Sequence, residues 1–213
     1  MDLRDEVAAA ARALADAGLL VGTAGNVSAR DGDRIAVTAT GVVLGRCTAD
    51  DVTVVDPAGE VIEGRLAPTS ELGLHLSVYA ETHAAAVVHT HAPFATACAC
   101  ALDELPVLHY QQLGLGGAIR VAAYATFGTP ELAAAVVEAL AGRQAALMAN
   151  HGSVAIGASL AKAVDNALLL EWLATLHHRA SALGTPRALT EQEQHDVIAQ
   201  AINLDYGSTK ENR

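Results

Sequence analysis

Two histidines one residue apart end an apolar run in this sequence, Val87-Val88-His89-Thr90-His91. In an extended strand, side chains i and i+2 point to the same face about 7 Å apart, so both imidazoles can approach one ion. A third imidazole, His151, follows another apolar run at residues 145–149. Three imidazoles and one open position form the coordination that zinc uses in catalytic sites. The pattern predicts a metal site, although ordinary histidines at strand ends have the same spacing.

A carboxylate stands upstream of these histidines, at the end of Pro68-Thr69-Ser70-Glu71, where a helix is expected to begin. Its position adds support to the metal site, but a negative charge in the first turn of a helix is favourable by itself. His75 follows four residues later, on the same face of that helix. We expect His75 to pair with Glu71 and orient it, or to pack in the wall of the site.

Composition and charge restrict the partners of the chain. The 213 residues carry a formal net charge of −11, and the 13 Lys and Arg residues are scattered. Neither nucleic acid nor an anionic membrane is therefore expected as a partner. Cys47, Cys98 and Cys100 are an odd set that indicates free thiols in a reducing compartment. The last two lie in an Ala-rich apolar segment, where we expect them to be buried. With no leader pattern and no long apolar run, we expect a soluble, cytoplasmic protein that forms one domain, residues 1–213.

The periodicity of apolar residues predicts helices and hairpins that share one core. Short strands around polar turns predict that at least part of the sheet is antiparallel. Helices are expected on one or both faces of a mixed or mainly antiparallel sheet. The predicted helices span residues 2–17, about 70–80, from Pro93 towards Pro106, 130–140, about 159–183, and a last helix capped by Thr190 and Glu193. The predicted strands span residues 26–30, 34–38, 52–55, 60–62, 84–91, 145–149 and 153–156.

Eight short motifs occur along the chain in a recognisable order. They are Gly25-Asn26-Val27-Ser28, Thr40-Gly41, Thr69-Ser70-Glu71, His89-Thr90-His91, His109-Tyr110, Tyr124-Ala125-Thr126-Phe127-Gly128-Thr129, His151-Gly152 and Tyr206-Gly207. In this order they resemble the class II aldolase and sugar-phosphate epimerase family, which includes the adducin head domain, and most closely its aldolases acting on L-fuculose 1-phosphate. The resemblance implies a three-layer α/β/α fold with a mostly antiparallel central sheet. It also implies a ring-shaped homotetramer with active sites between neighbouring subunits.

The same resemblance implies roles for the residues of the metal site. His89, His91 and His151 would bind one Zn²⁺ per chain, and Glu71 would be the general base. A proton beside a ketone is too weakly acidic for a carboxylate unless the enediolate is stabilised, which a Lewis-acidic metal does.

The resemblance also places the substrate. A phosphate pocket without Lys or Arg would use hydroxyl, amide and backbone N–H groups; its residues would be Gly25, Asn26, Thr40, Gly41, Thr69 and Ser70. Thr69 and Ser70 stand where the family pattern has two serines, so both hydroxyls are kept. Tyr110, from a neighbouring subunit, would donate a proton to the aldehyde oxygen. Tyr206 would close the site from the tail, and Phe127 would line the aldehyde pocket.

The leading interpretation is reversible cleavage of a ketose 1-phosphate into dihydroxyacetone phosphate and a short aldehyde. A pentulose-phosphate 4-epimerase or an oxo-acid phosphate decarboxylase would keep the same metal site. Glu71 favours the aldolase, because the epimerase pattern has Asp there. A non-catalytic, adducin-like interaction domain is disfavoured by the three histidines. An imine-forming aldolase needs a desolvated lysine, whereas Lys162 lies near a helix start and Lys210 in the tail.

Overall fold

A mixed sheet of nine strands forms the centre of the molecule in the computed structural model, which describes residues 2–204. The strands are β1 (Asn26–Asp31), β2 (Arg34–Thr38), β3 (Val52–Val55), β4 (Val61–Glu63), β5 (Ala86–Thr90), β6 (Glu104–Leu105), β7 (Ile119–Ala122), β8 (Ala145–Met148) and β9 (Gly152–Gly157). Their order across the sheet is β4-β3-β2-β1-β5-β9-β8-β7-β6. β7 and β8 pair in parallel, and the other neighbours pair antiparallel.

Helices cover both faces of this sheet. They are α1 (Leu3–Asp16), α2 (Leu72–Glu81), α3 (Pro93–Ala101), α4 (Pro130–Leu140), α5 (Leu160–Leu183) and α6 (Glu191–Leu204). Residues of α1, α3 and α5 share one apolar core with one sheet face, and residues of α2 and α4 share a second core with the other. The predicted three-layer architecture with a mostly antiparallel sheet is confirmed.

Period-two alternation in the strands decides which side chains reach which layer. In β5, Val88 belongs to the core of α1, α3 and α5, whereas Val87 belongs to the core of α2 and α4. His89 therefore points to the same side as Val87, towards α2. In β1, Val27 faces the first core, so Asn26 and Ser28 face α2 as well.

Local signals in the sequence fix several helix starts. The Thr129 side chain accepts a hydrogen bond from the backbone N–H of Leu132, and Pro130 occupies the first turn of α4. Before α6, the backbone N–H of Thr190 donates to Glu193 Oε2 (2.7 Å), and the backbone N–H of Glu193 donates to Thr190 Oγ1 (3.2 Å). This reciprocal pair is the predicted capping box, which satisfies N–H groups that a helix start leaves without intrahelical partners.

The region between α3 and α4 was predicted least well. The helix that begins at Pro93 ends at Ala101, and the short strands β6 and β7 follow it. A helix up to Pro106 is disfavoured because the residue before a proline avoids helical backbone angles. β6 spans two residues, too few for an alternating pattern to be recognised.

Within residues 2–204, no helix is long and apolar enough to cross a membrane.

Candidate active site

The three predicted metal ligands lie together where β5 ends and β9 begins. His89 is fully buried in β5, directly across from Asn26 of β1 and Val154 of β9. His91 follows β5, and His151 precedes β9. The three rings pack edge to face with centroids 4.9–5.0 Å apart. One nitrogen from each ring lies within 4.8 Å of the others, so the three side chains form a group that could hold a metal ion.

Hydrogen bonding prepares His89 for a cation. Its Nδ1 lies 2.9 Å from the backbone carbonyl oxygen of Ser153. Since a carbonyl oxygen only accepts, Nδ1 carries the proton, and the lone pair of Nε2 points into the cluster. Nε2 of His91 lies 3.1 Å from Nε2 of His89. Burial, followed by the nearby His89 and His151, lowers the pKa of His91 to about 4, which keeps its ring neutral and able to bind a cation.

Gly152 is required by the close approach of β9 to β5 at this point. A Cβ atom there would lie 2.3 Å from the carbonyl oxygen of Thr90 and 3.2 Å from Cδ2 of His91. Only glycine leaves room for His151 to lie beside His89 and His91. This explains the His-Gly dipeptide at the third ligand.

Glu71 lies beside the histidine cluster, at the residue before α2, and is 7% exposed. Its Oε2 is 3.2 Å from Nε2 of His89, and its Oε1 is 3.6 Å from Nε2 of His151. Oε1 is buried without a hydrogen-bond partner among the described residues. An orphaned carboxylate oxygen beside three imidazole nitrogens fits a cation held at this point.

Glu71 is held in its ionised form. Burial alone raises the pKa of its carboxyl group, but the nearby imidazole of His89, a hydrogen bond from Asn26 and the imidazole of His151 together lower it to about 2. The acceptor that remains is a carboxylate able to take a proton.

The expected direct pairing of His75 with Glu71 is wrong. Asn26 stands between the two side chains: its Nδ2 donates to Glu71 Oε2 (2.9 Å), and its Oδ1 lies 2.5 Å from Nε2 of His75. The side chain of Asn26 is thus engaged on both sides. For a phosphate in the pocket, the side chain of Asn26 has the second N–H of its amide left.

A pocket of about 330 Å³ opens beside Glu71, His91 and His151. All six residues predicted to bind phosphate line it, and none of its lining residues is Lys or Arg. These six are Gly25, Asn26, Thr40, Gly41, Thr69 and Ser70.

Aromatic residues lie at the outer part of this pocket. Phe127 lines it, as predicted, and is 66% exposed, while Tyr124, which the sequence reasoning did not select, also lines it and is 68% exposed. Asn150 is a further lining residue that was missed; it is the one non-glycine residue with positive φ in the described part of the chain. Its place directly before His151 is the signal that could have pointed to it.

Tyr110 is not brought to the pocket within one chain. It begins a short 3-10 helix, Tyr110–Leu115, where its ring lies 4.5 Å from that of His109. The ring of His109 in turn meets Trp172 of α5 edge to face. Tyr206 lies outside the described residues.

The fold and this histidine-carboxylate pocket together define a known class of protein. The family model described as "Class II Aldolase and Adducin N-terminal domain" matches residues 5–178, and the chain belongs to this family. Class II aldolases depend on a metal, and the three-histidine group is where this chain could bind one.

Individual relatives narrow the class to aldolases. The chain is 39% identical to a 5-methylthioribulose-1-phosphate/5-deoxyribulose-1-phosphate aldolase of Rhodospirillum rubrum, over 92% of this chain and 89% of the relative. It is 38% identical to the L-fuculose phosphate aldolase of Escherichia coli K12, over 89% and 88% of the two chains. A solved L-fuculose 1-phosphate aldolase superposes with a TM-score of 0.89 at 34% identity, covering 93% of this chain and 95% of that one. The protein is therefore an enzyme of the lyase class.

Proposed function

We propose that this enzyme reversibly cleaves a ketose 1-phosphate to dihydroxyacetone phosphate and a short aldehyde. The observation that carries the proposal is the buried Glu71 carboxylate beside three imidazole nitrogens. It lies in a pocket whose polar wall contains no Lys or Arg. This arrangement supplies a base and a place for a Lewis acid at one carbon, and a separate place for a phosphate.

His89, His91 and His151 would hold one divalent cation per chain, which we propose to be Zn²⁺ because three imidazoles suit its catalytic sites. When bound, the cation supplies Lewis-acid stabilisation of negative charge on the ketone and neighbouring hydroxyl oxygens. In the condensation direction Glu71 takes the proton from the carbon beside the ketone of dihydroxyacetone phosphate, and in the cleavage direction it returns that proton to the same carbon. The low pKa of Glu71 keeps the carboxylate ready at neutral pH.

The polar wall of the pocket would hold the phosphate of the substrate. Backbone N–H groups and the hydroxyls of Thr40, Thr69 and Ser70 can donate hydrogen bonds to it, and Gly25 and Gly41 allow close approach of the chain. Anchoring the phosphate fixes the position of the reacting carbons relative to Glu71.

The aldehyde half of the reaction is proposed to use a neighbouring subunit. In a homotetramer with shared sites, Tyr110 of one chain would donate a proton to the aldehyde oxygen in the pocket of its neighbour. Tyr206 would close that pocket from the tail, and Phe127 would line the aldehyde side. The position of Tyr110 away from its own pocket supports this arrangement.

Two kinds of aldehyde are candidates. Relatives named for L-fuculose phosphate suggest a hydroxylated aldehyde, and the relative named for 5-methylthioribulose and 5-deoxyribulose 1-phosphates suggests an apolar one. The exposed rings of Tyr124 and Phe127 favour the apolar kind, because they offer apolar surface and no charge.

A substrate panel tests the proposal. Protein stripped of metal is reloaded with Zn²⁺, Mn²⁺ or Co²⁺ and assayed against the 1-phosphates of L-fuculose, 5-methylthioribulose and 5-deoxyribulose, a pentulose phosphate and an oxo-acid phosphate. Dihydroxyacetone phosphate is measured with a coupled glycerol-phosphate dehydrogenase. We expect release of dihydroxyacetone phosphate from at least one substrate, highest with zinc. Formation of an epimer alone, or of carbon dioxide alone from an oxo-acid phosphate, would assign the site to the epimerase or decarboxylase alternatives.

We further propose that residues 1–213 form a single domain and that the protein works in the cytoplasm. The free thiols of Cys47, Cys98 and Cys100 support a reducing compartment. Cys100 is exposed, contrary to the burial expected from its apolar surroundings.

A further inference from the structure

A buried line of polar side chains runs from the interior of the protein to Glu71. Tyr79 and His75 lie four residues apart on one face of α2, and Glu71, directly before α2, lies another four residues back. Ser28 and Asn26 lie on the face of β1 that is turned towards α2. Side chains from the helix and from the strand alternate along the line. His75 is fully buried, and Asn26, Ser28 and Tyr79 are at most 4% exposed.

The contacts along this line are short and consecutive. Tyr79 Oη lies 2.7 Å from Ser28 Oγ, and Ser28 Oγ lies 2.6 Å from His75 Nδ1. His75 Nε2 lies 2.5 Å from Asn26 Oδ1, and Asn26 Nδ2 lies 2.9 Å from Glu71 Oε2.

The carboxylate at the end of this line fixes the direction of every hydrogen bond. An ionised carboxylate only accepts, so Asn26 must present its amide N–H to Glu71 and its carbonyl oxygen to His75. His75 must then carry its proton on Nε2, which leaves Nδ1 to accept from Ser28. Ser28 in turn accepts from Tyr79. Burial lowers the pKa of His75 to about 3, which agrees with a neutral ring that has one donor and one acceptor.

We propose that His75 is a positioning residue for the proton-transfer step, acting through Asn26 to hold the Glu71 carboxylate in place. The inference rests on the proposed function, in which Glu71 is the base. It also gives the side chain of Asn26 a role in holding Glu71, separate from any contact with phosphate. The bond from Asn26 occupies Oε2 alone, so Oε1 stays available on the side of the histidine cluster. A carboxylate held through one oxygen keeps a fixed orientation, while its other oxygen can still take a proton.

Two amide substitutions at position 75 separate this role from simple packing. The side-chain amide of Gln reaches the position of Nε2 and can still donate a hydrogen bond to Asn26. The shorter side chain of Asn reaches only the position of Nδ1, so it can accept from Ser28 but cannot reach Asn26. We expect His75→Gln to retain most of kcat. We expect His75→Asn to lower kcat by about 10-fold to 100-fold, as loss of a supporting hydrogen bond does elsewhere, with KM and metal content nearly unchanged.

A matched pair of buried asparagines gives the second test. Asn166 in α5 is also fully buried, but its Nδ2 donates to the backbone carbonyl oxygen of Ile156, away from Glu71. Asn26→Ala and Asn166→Ala should both lower the thermal unfolding temperature, and only Asn26→Ala should lower kcat. Crystal structures should show Glu71 displaced in His75→Asn and in Asn26→Ala.

The outcomes separate this inference from the proposed function. Wild-type protein without aldolase activity would overturn the proposed function. With an active wild type, equal kcat for His75→Gln and His75→Asn would overturn the positioning role. An increase in KM alone for Asn26→Ala would assign its side chain to phosphate binding alone and overturn the positioning role.

Discussion

The two halves of the pocket are built differently. On the metal side, His89 is fully buried and Glu71 is 7% exposed, and each has hydrogen-bond partners within the same chain. On the side proposed for the aldehyde, Phe127 and Tyr124 are 66% and 68% exposed, and Tyr110, 41% exposed, lies outside the pocket lining. One chain thus holds the groups proposed to transfer the proton in fixed positions, and leaves the other half of the pocket open.

This difference follows from what each half must do. A base and its cation site must keep their geometry in every turnover, and burial with defined partners provides that rigidity. Large aromatic side chains that are exposed together on a protein surface commonly mark a place where a ligand or another chain binds. The contrast predicts that changes on the metal side abolish chemistry, whereas changes to the exposed rings of Phe127 and Tyr124 alter the choice of substrate.

The largest effect is expected from removing a metal ligand. His91→Ala and His151→Ala should each lose the bound ion and all measurable turnover, because two imidazoles and one carboxylate do not replace the cluster. Metal content per chain, measured by plasma mass spectrometry, checks this. His195→Ala, which changes an exposed histidine of α6, should keep the ion. Full retention of metal by both ligand variants would exclude the site.

The next largest effect is expected at the base. Glu71→Gln keeps the shape of the side chain but removes its basicity, so kcat should fall by roughly 10²-fold or more while the metal stays bound. Exchange of the substrate proton in deuterated water reports this step directly. Glu81→Gln, at the exposed end of the same helix, is the control and should behave as wild type. Undiminished exchange in Glu71→Gln would remove Glu71 from this role.

A mixing experiment sharpens the contrast between the two halves. Tyr110→Phe and Glu71→Gln should each be nearly inactive alone. After subunit exchange at equal amounts, about a quarter of the interfaces in a ring would pair an intact Glu71 with an intact Tyr110. Activity should therefore return in the mixture. Mixed tetramers, verified by native mass spectrometry, that stay inactive would show that the site is not shared.

The smallest effect is expected at the open rim. Because Phe127 is mostly exposed, Phe127→Ala should change the free energy of unfolding by no more than about 0.5 kcal/mol. It should lower kcat/KM by about 10-fold for substrates that release an apolar aldehyde, and less for those that release a hydroxylated one. Leu183→Ala, at a residue 92% exposed at the end of α5, is the control. Equal losses for both substrate kinds would remove Phe127 from substrate selection.

Patterns that involve residues of a single helix or strand could be recognised from the sequence. The buried strand β5, the cap at Thr129 and the Thr190–Glu193 capping box each involve residues a few positions apart, and all three appear in the structure. The His-x-His spacing belongs to this class, since a strand puts both side chains on one face. The strands β6 and β7 were missed because they are short and their pairing partners are set by the rest of the sheet.

What the sequence could not decide is which distant side chains meet. His75 and Glu71 are neighbours on one helix face, yet Asn26 of β1 separates them, because α2 packs on the sheet face that carries Asn26 and Ser28. His151 reaches His89 because β9 pairs with β5, and Gly152 permits the approach. The sequence by itself determined the elements and the kinds of chemical group, since these follow from local periodicity and side-chain chemistry. Only the packing of helix on sheet determined their mutual distances, because long-range contacts depend on the whole core at once.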